Sequence, residues 1–227
     1  PQEPAPRFRD FLDWLAAQDI DASRAFWRNE LDGIDEAPAL PEATRAGDGH
    51  ASVARTLDAS RALAWAQAHG LTANTLVQGA LALVLRRYYG RDDVVFGITP
   101  AGRPADLPGV ERMLGVFINS LPLRVNVPAQ GATAAWFADV QRRNAALRAH
   151  EHLPLADIQR LAADAGALFD VLLVFENVPG SATADHGLRI AELDHRAHSN
   201  YPLMLTVLPD GACLRVEASV DTRRVDA

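Results

Sequence analysis

The chain reads as an α/β protein, a layered sandwich of a mixed sheet with helices, and three features of the sequence predict it. Helix-period and strand-type segments alternate along most of the length, the pattern of packed helix and sheet layers. The string VLLVF within residues 169–177 is apolar without interruption, as a strand buried on both faces requires. Residues 203–220 hold alternating Leu203, Leu205 and Val207, then Pro209-Asp210-Gly211, then a second β-type run, which reads as an antiparallel hairpin.

The elements follow in order. Residues 8–31 carry apolar side chains at 8, 11, 12 and 15 and again at 26, 27 and 31, consistent with two short helices broken around residues 19–22. Residues 33–48, with Pro38, Pro41 and Gly47, form a surface loop or linker. Residues 51–57 read as a strand, and Ser60 is placed to cap a short helix that stops at Gly70. Thr72 or Asn74 opens a longer helix ending at Gly90. Its doublets Leu76/Val77, Ala80/Leu81 and Val84/Leu85 recur every fourth residue and predict a broad apolar face against a sheet.

Residues 93–99 are a strand, residues 113–127 hold another, and residues 133–149 form a helix with Trp136, Phe137, Val140 and Leu147 inward. The run over 169–177 belongs mid-sheet. Residues 188–193 alternate more loosely and read as a further strand.

Composition narrows the function classes. With 227 residues, 48% hydrophobic and 22% charged, the chain can bury a substantial core as one large lobe. A formal charge of -7, from 29 acidic and 22 basic side chains, disfavours nonspecific binding to nucleic acid. No apolar run approaches the roughly 20 residues that span a bilayer, and the first ten residues lack the apolar core of a signal peptide, so no membrane contact and a cytoplasmic location are expected. A start at Pro1 suggests an excised piece. The single Cys213 reads as a small buried hydrophobe. Arg86, Arg87 and Arg91, and Arg142, Arg143 and Arg148, are solvated helix faces or a docking site for an acidic partner.

The most informative stretch is residues 93–125, DVVFGITPAGRPADLPGVERMLGVFINSLPLRV. Two β-type runs flank a Gly-Arg-Pro turn and a short helical piece, which reads as a crossover unit. Glycines 97, 102 and 115 permit close approaches, and Pro104 and Pro122 stiffen the joints.

This string, together with FWRNELDG (26–33), HEHLPLADIQ (150–159), LFDVLLVFENVP (168–179) and HSNYPL (198–203), resembles the condensation domains of nonribosomal peptide synthetases in order and spacing. The resemblance covers the second half of such a domain, from about residue 8 to the end. It implies a chloramphenicol-acetyltransferase-like half domain, with residues 1–34 a helical connector between lobes, 35–50 a loop and 51–227 the C-terminal lobe. The family would usually continue into a last helix, which is expected to be truncated here.

In the family the HHxxxDG motif with its catalytic histidine lies on the first lobe, and this sequence contains no such string. The lobe alone is therefore expected to be inactive, with no catalytic residue of its own. The resemblance implies that two carrier proteins present thioester-bound substrates on phosphopantetheine arms, with no cofactor bound directly. The partners it implies are the N-terminal lobe and the donor and acceptor carrier proteins.

Phe117, Ile118, Asn119 and Ser120 are the candidate channel wall, since the family motif at this place borders the reaction channel. On general grounds the Asn119 amide could equally satisfy backbone groups. Residues 101–112 would form a floor-like loop, and residues 178–187 would reach across to the other lobe. Arg103 and Arg124 are expected to pair with carboxylates across the lobe, and Asp170 and Asn177 to tie down strand ends.

Other chemistries fit less well. Asp170 and Glu176 share a strand face but stand on the order of 20 Å apart, too far for glycoside hydrolysis. His150 and His152 are two apart, a spacing that sends them to different sides of a helix, and a metal is not expected there. His195 and His198 read as surface or packing residues. No P-loop or nucleophile elbow is present. Two further classes stay open: a noncatalytic carrier-protein-binding module, and a free-standing CoA-dependent acyltransferase. An epimerisation domain ranks behind them, because its counterpart motif generally lacks this Asn-Ser-Leu-Pro run.

Overall fold

A computed structural model describes residues 6–34, 39–45, 47, 49–162, 166–176 and 199–226. The elements run α1 (Phe8–Ala16), α2 (Ile20–Leu31), β1 (His50–Asp58), α3 (Ser60–Ala68), α4 (Ala73–Tyr89), β2 (Asp93–Ile98), a 3-10 turn (Val110–Arg112), β3 (Leu121–Asn126), α5 (Thr133–Arg148), α6 (Leu155–Leu161), β4 (Val171–Phe175), β5 (Leu203–Asp210) and β6 (Cys213–Asp221). The expected strand over 188–193, together with Asn177, residues 178–187, His195 and His198, lies outside the described residues.

The six strands form one mixed sheet in the order β1-β6-β5-β4-β2-β3. β4 is parallel to both β2 and β5, and the other pairs are antiparallel. Val171, Leu172 and Leu173 are buried at the centre, as their uninterrupted apolar run demands. β3 is an edge strand, which is where Pro122, lacking an N–H, can be accommodated. β5 and β6 form the expected hairpin, and β1 adds to its far side with most of its residues exposed.

Three local expectations are corrected. First, residues 93–125 are not a crossover. β2 and β3 are antiparallel neighbours, Asp93 opposite Asn126 and Ile98 opposite Leu121, joined by a long folded loop. Its only helical piece is one 3-10 turn, so the chain doubles back along the same sheet edge and never passes over a face. Second, Ser60 is the first residue of α3, and its amide donates to the Asp58 carboxylate at 2.9 Å, so the acid takes the capping role. Third, α4 opens at Thr72, one of the two expected residues, but the face it buries is made of Thr75, Gln78, Gly79, Leu81, Ala82 and Leu85. In the later two doublets Leu81 and Leu85 are buried while Ala80 and Val84 are exposed, Val84 by 51%, whereas Leu76 and Val77 are both half-buried, Leu76 against the Ala66–Leu71–Phe137 cluster and Val77 against the main core.

α5 presses Phe137, Val140 and Leu147 inward, while Trp136 is half-buried and donates its indole N–H to the Asn126 carbonyl at 2.8 Å. Cys213 is half-buried at the start of β6. On the side of the 150–154 turn, Trp27 of α2 is fully buried and donates to the His150 carbonyl at 3.2 Å. No single described helix is long and apolar enough to cross a membrane.

Candidate functional site

The loop between β2 and β3 is shaped by contacts that leave little choice of residue. Gly102 has φ +64°, and a β-carbon there would lie 1.8 Å from the Phe117 carbonyl oxygen. At Gly115 a β-carbon would fall 2.2 Å from the Phe8 ring. These close approaches let α1 lie on the loop, where the Phe117 ring meets Phe8 and Phe11 edge-on, at 5.2 and 4.7 Å between centroids. Arg103 holds the loop from beneath: its guanidinium sits 4.2 Å from the Phe117 centroid and donates to the carbonyls of Val110 and Met113. Its hydrogen-bond partners among the described residues are carbonyls, where pairing with a carboxylate was expected.

Residues 114–118 then run mostly along the surface. Phe117 is buried, whereas Leu114, Val116 and Ile118 are 85%, 81% and 66% exposed and form a bare apolar ribbon. Of the four candidate wall residues, Ile118 faces outward and Phe117 inward. Asn119 donates both hydrogens of its amide, to the Glu151 and Leu153 carbonyls at 2.8 Å each, and accepts from the Ser120 amide at 2.9 Å. Its amide therefore ties the start of β3 to the 150–154 turn. Ser120 meets the Tyr201 phenol, whose pKa is pushed up by burial and drawn back by that hydrogen bond. Tyr201 stacks on Phe169 at 5.2 Å.

The turn that Asn119 holds was only partly legible. His150 Nδ1 and His152 Nε2 each lie 3.0 Å from the Ser23 hydroxyl of α2, so residues expected on different sides converge on one oxygen. The helix rule does not apply to them, because Leu153 and Pro154 turn the chain before α6 begins. Burial depresses both imidazoles below the usual histidine range, and His150 lowers His152 further. Burial raises the Glu151 carboxyl, and Arg148 draws it partly back. Among the described residues no group of three or more His, Cys, Asp and Glu side chains could hold a metal.

One cavity adjoins these residues, and a second concavity opens elsewhere on the lobe. A cavity of about 180 Å³ lies between α1, the loop and the turn, lined by Phe11, Trp14, Phe117, Asn119, Glu151 and His152 among others. A larger groove of about 720 Å³ opens at the start of α4 and the ends of β2 and β4, and Thr72, Asn74, Gln78, Thr99, Gln141 and Asn144 give it hydroxyl and amide walls.

Arg124 forks onto Asp93, Nε to Oδ1 at 3.1 Å and Nη2 to Oδ2 at 2.7 Å, and its Nη1 donates to the carbonyls of Glu30 and Asp32 at the end of α2. The hydrogen bonds it makes to Asp93 push its pKa above the usual arginine value. Asp170 accepts from the Leu40 amide at 3.2 Å and faces Arg224 at 3.5 Å, so it anchors the entry to β4. In the basic clusters, Arg86 pairs with Asp92, and Arg142 and Arg143 pair with Asp139.

A family model described as Condensation domain matches residues 1–224. The chain belongs to the condensation-domain family. Among curated relatives it is 40% identical over 217 residues to one of the linear gramicidin synthase proteins of Brevibacillus parabrevis, an alignment covering 89% of this chain and 3% of that protein. It is 36% identical over 230 residues to chondramide synthase cmdD of Chondromyces crocatus, covering 97% of this chain and 6% of that one. Among solved structures, the X-domain from teicoplanin biosynthesis superposes with a TM-score of 0.75 at 28% identity, over 96% of this chain and 53% of its own. Holo T3CT shares the fold at TM-score 0.80 and 24% identity, over 99% of this chain and 52% of its own. This condensation-family chain thus spans about half the length of these solved structures and a few per cent of the curated relatives. Its helix-layered mixed sheet is half of their chloramphenicol-acetyltransferase-like fold.

Proposed function

We propose that the chain is the C-terminal lobe of a condensation domain that joins carrier-protein-bound aminoacyl or peptidyl thioesters through amide bonds. In this reading residues 1–34 connect the lobes and 51–227 belong to the lobe itself. One observation carries it: a condensation-domain model matches residues 1–224, yet the same residues account for only about half of the solved relatives.

The acceptor amine attacks the donor thioester carbonyl, a C–N bond forms, the C–S bond breaks, and the pantetheine thiol leaves. The N-terminal lobe supplies the histidine of HHxxxDG that takes the proton, so this lobe acts by positioning, which can lower a barrier by several kcal/mol. The carrier-borne phosphopantetheine arms are substrates, and the amide and hydroxyl walls of the 720 Å³ groove offer partners for the amides of such an arm. Phe117, Asn119 and Ser120 act as the wall's frame, and Ile118 stands on the face turned toward the other lobe.

The bare ribbon of Leu114, Val116 and Ile118 supports a missing partner, because exposed contiguous apolar surface marks an interaction site. A second reading, a noncatalytic docking module, draws support from the X-domain of teicoplanin biosynthesis, which is 29% identical in its complex with OxyB. The test is association with an N-terminal lobe bearing HHxxxDG. Val116→Asp and Ile118→Asp should weaken it at least about tenfold without lowering the melting temperature of the chain. Unchanged association in both variants would remove the ribbon from the interface.

A further inference from the structure

We propose that Ser23, His150 and His152 form a proton-sensitive clasp that holds α2, and through it α1, on the lobe. The clasp belongs to this chain's own packing and stands apart from the condensation reading.

Proton counting sets the resting state. The Ser23 hydroxyl donates its one hydrogen to the Asp19 carbonyl at 3.1 Å, leaving two lone pairs for the two ring nitrogens at 3.0 Å. Neutral rings satisfy it fully, His150 as the Nδ1–H tautomer and His152 as the Nε2–H tautomer. Ser23 is 1% exposed, so water does not compete for the oxygen. The rings are packed as well as bonded: His150 stacks on Phe26 at 4.1 Å between centroids, and Trp14 of α1 meets His152 edge-on at 6.1 Å. His152 also lines the cavity beneath α1. The clasp thus joins α1, α2 and the turn that Asn119 fixes to β3.

Acid charges both rings at one point. Two nitrogens each 3.0 Å from the same oxygen lie no more than about 6 Å apart, so two imidazolium ions there repel. The surrounding charged groups offer little compensation. The Asp19 carboxylate accepts the Ala22 amide, the Asp106 carboxylate accepts the Trp14 indole N–H, and Glu151 is held toward its neutral form by burial against the pull of Arg148. Among the described residues none of these carboxylates bonds either ring.

Both folded-state values lie below the free-histidine value, so the unfolded or undocked chain binds more protons than the docked one. The clasp is therefore at full strength above about pH 6.5 and weakens as pH falls below it toward the depressed folded values. Glu151, whose value is raised, acts in the opposite sense, and only nearer the carboxylate range.

The test is hydrogen–deuterium exchange of the 227-residue chain at about pH 7.5 and pH 5.5, corrected for intrinsic rates. Amides of residues 20–31 should lose at least about tenfold more protection on acidification than those of β2 and β4. The double variant His150→Asn with His152→Gln keeps N–H donors near the same positions without titrating, and should remove that difference. Ser23→Ala should lower protection of residues 20–31 at both pH values. Loss spread evenly over the lobe, no loss at all, or the same pH response in the double variant would overturn the proposal. If the double variant does not fold, the distribution of loss in the parent chain decides by itself.

Discussion

Replacing Asn119 by alanine removes three hydrogen bonds at once, and the structure allows the cost to be worked out. Two of them end on the carbonyls of Glu151 and Leu153, and Leu153 is fully buried, so the orphaned oxygens find little water. The third leaves the Ser120 amide without its acceptor. At roughly 1 kcal/mol net for each bond, and about 1–3 kcal/mol for a buried group left unpaired, the loss should be about 2–4 kcal/mol. In a domain of this size that lowers the melting temperature by roughly 5–15 °C. Urea denaturation followed by tryptophan fluorescence should show a lower midpoint with an unchanged slope, since the native fold is retained. Asn119→Asp should cost at least as much at neutral pH, because a carboxylate oxygen would then face two carbonyls. A loss below about 0.5 kcal/mol would show that the amide does not hold the turn, and would return Asn119 to the role of a free substrate contact.

Two further changes test the frame around the site. Arg124→Lys keeps the charge but cannot fork onto Asp93 while reaching the Glu30 and Asp32 carbonyls, so denaturant unfolding should show a loss of about 1–3 kcal/mol, where a charge-only role predicts none. Gly102→Ala puts a methyl group against the Phe117 carbonyl at positive φ, so the loop must shift; the expected cost exceeds about 2 kcal/mol, with loss of the aromatic near-ultraviolet signal from Phe8, Phe11 and Phe117.

Much of the fold was legible because burial writes itself into local pattern. VLLVF had no polar residue to turn outward, so its place mid-sheet followed, and the Pro-Asp-Gly turn fixed β5 and β6 as a hairpin. What escaped was information carried by distant contacts. The β2–β3 loop has the length and punctuation of a crossover, and only its docking against α1 through Phe8 and Phe11 turns the chain back to the same edge. The phase of α4 depended on which side α5 occupies, which no periodicity within α4 reveals. Asn119 stood out in the sequence, but its amide had two equally plausible uses until the 150–154 turn was placed beneath it. The convergence of His150 and His152 on Ser23 was hidden for a related reason: periodicity rules describe helices and strands, and these rings are brought together by a turn and by a helix more than a hundred residues earlier.

The central claim, that this chain is one lobe of a two-lobed amide-forming domain, is tested most directly by turnover with donor and acceptor thioesters on their carrier proteins. The chain alone should give no product above the uncatalysed rate, and addition of an N-terminal lobe bearing HHxxxDG should restore peptide formation that depends on that histidine. Product at an enzymatic rate from the 227 residues alone would contradict the account.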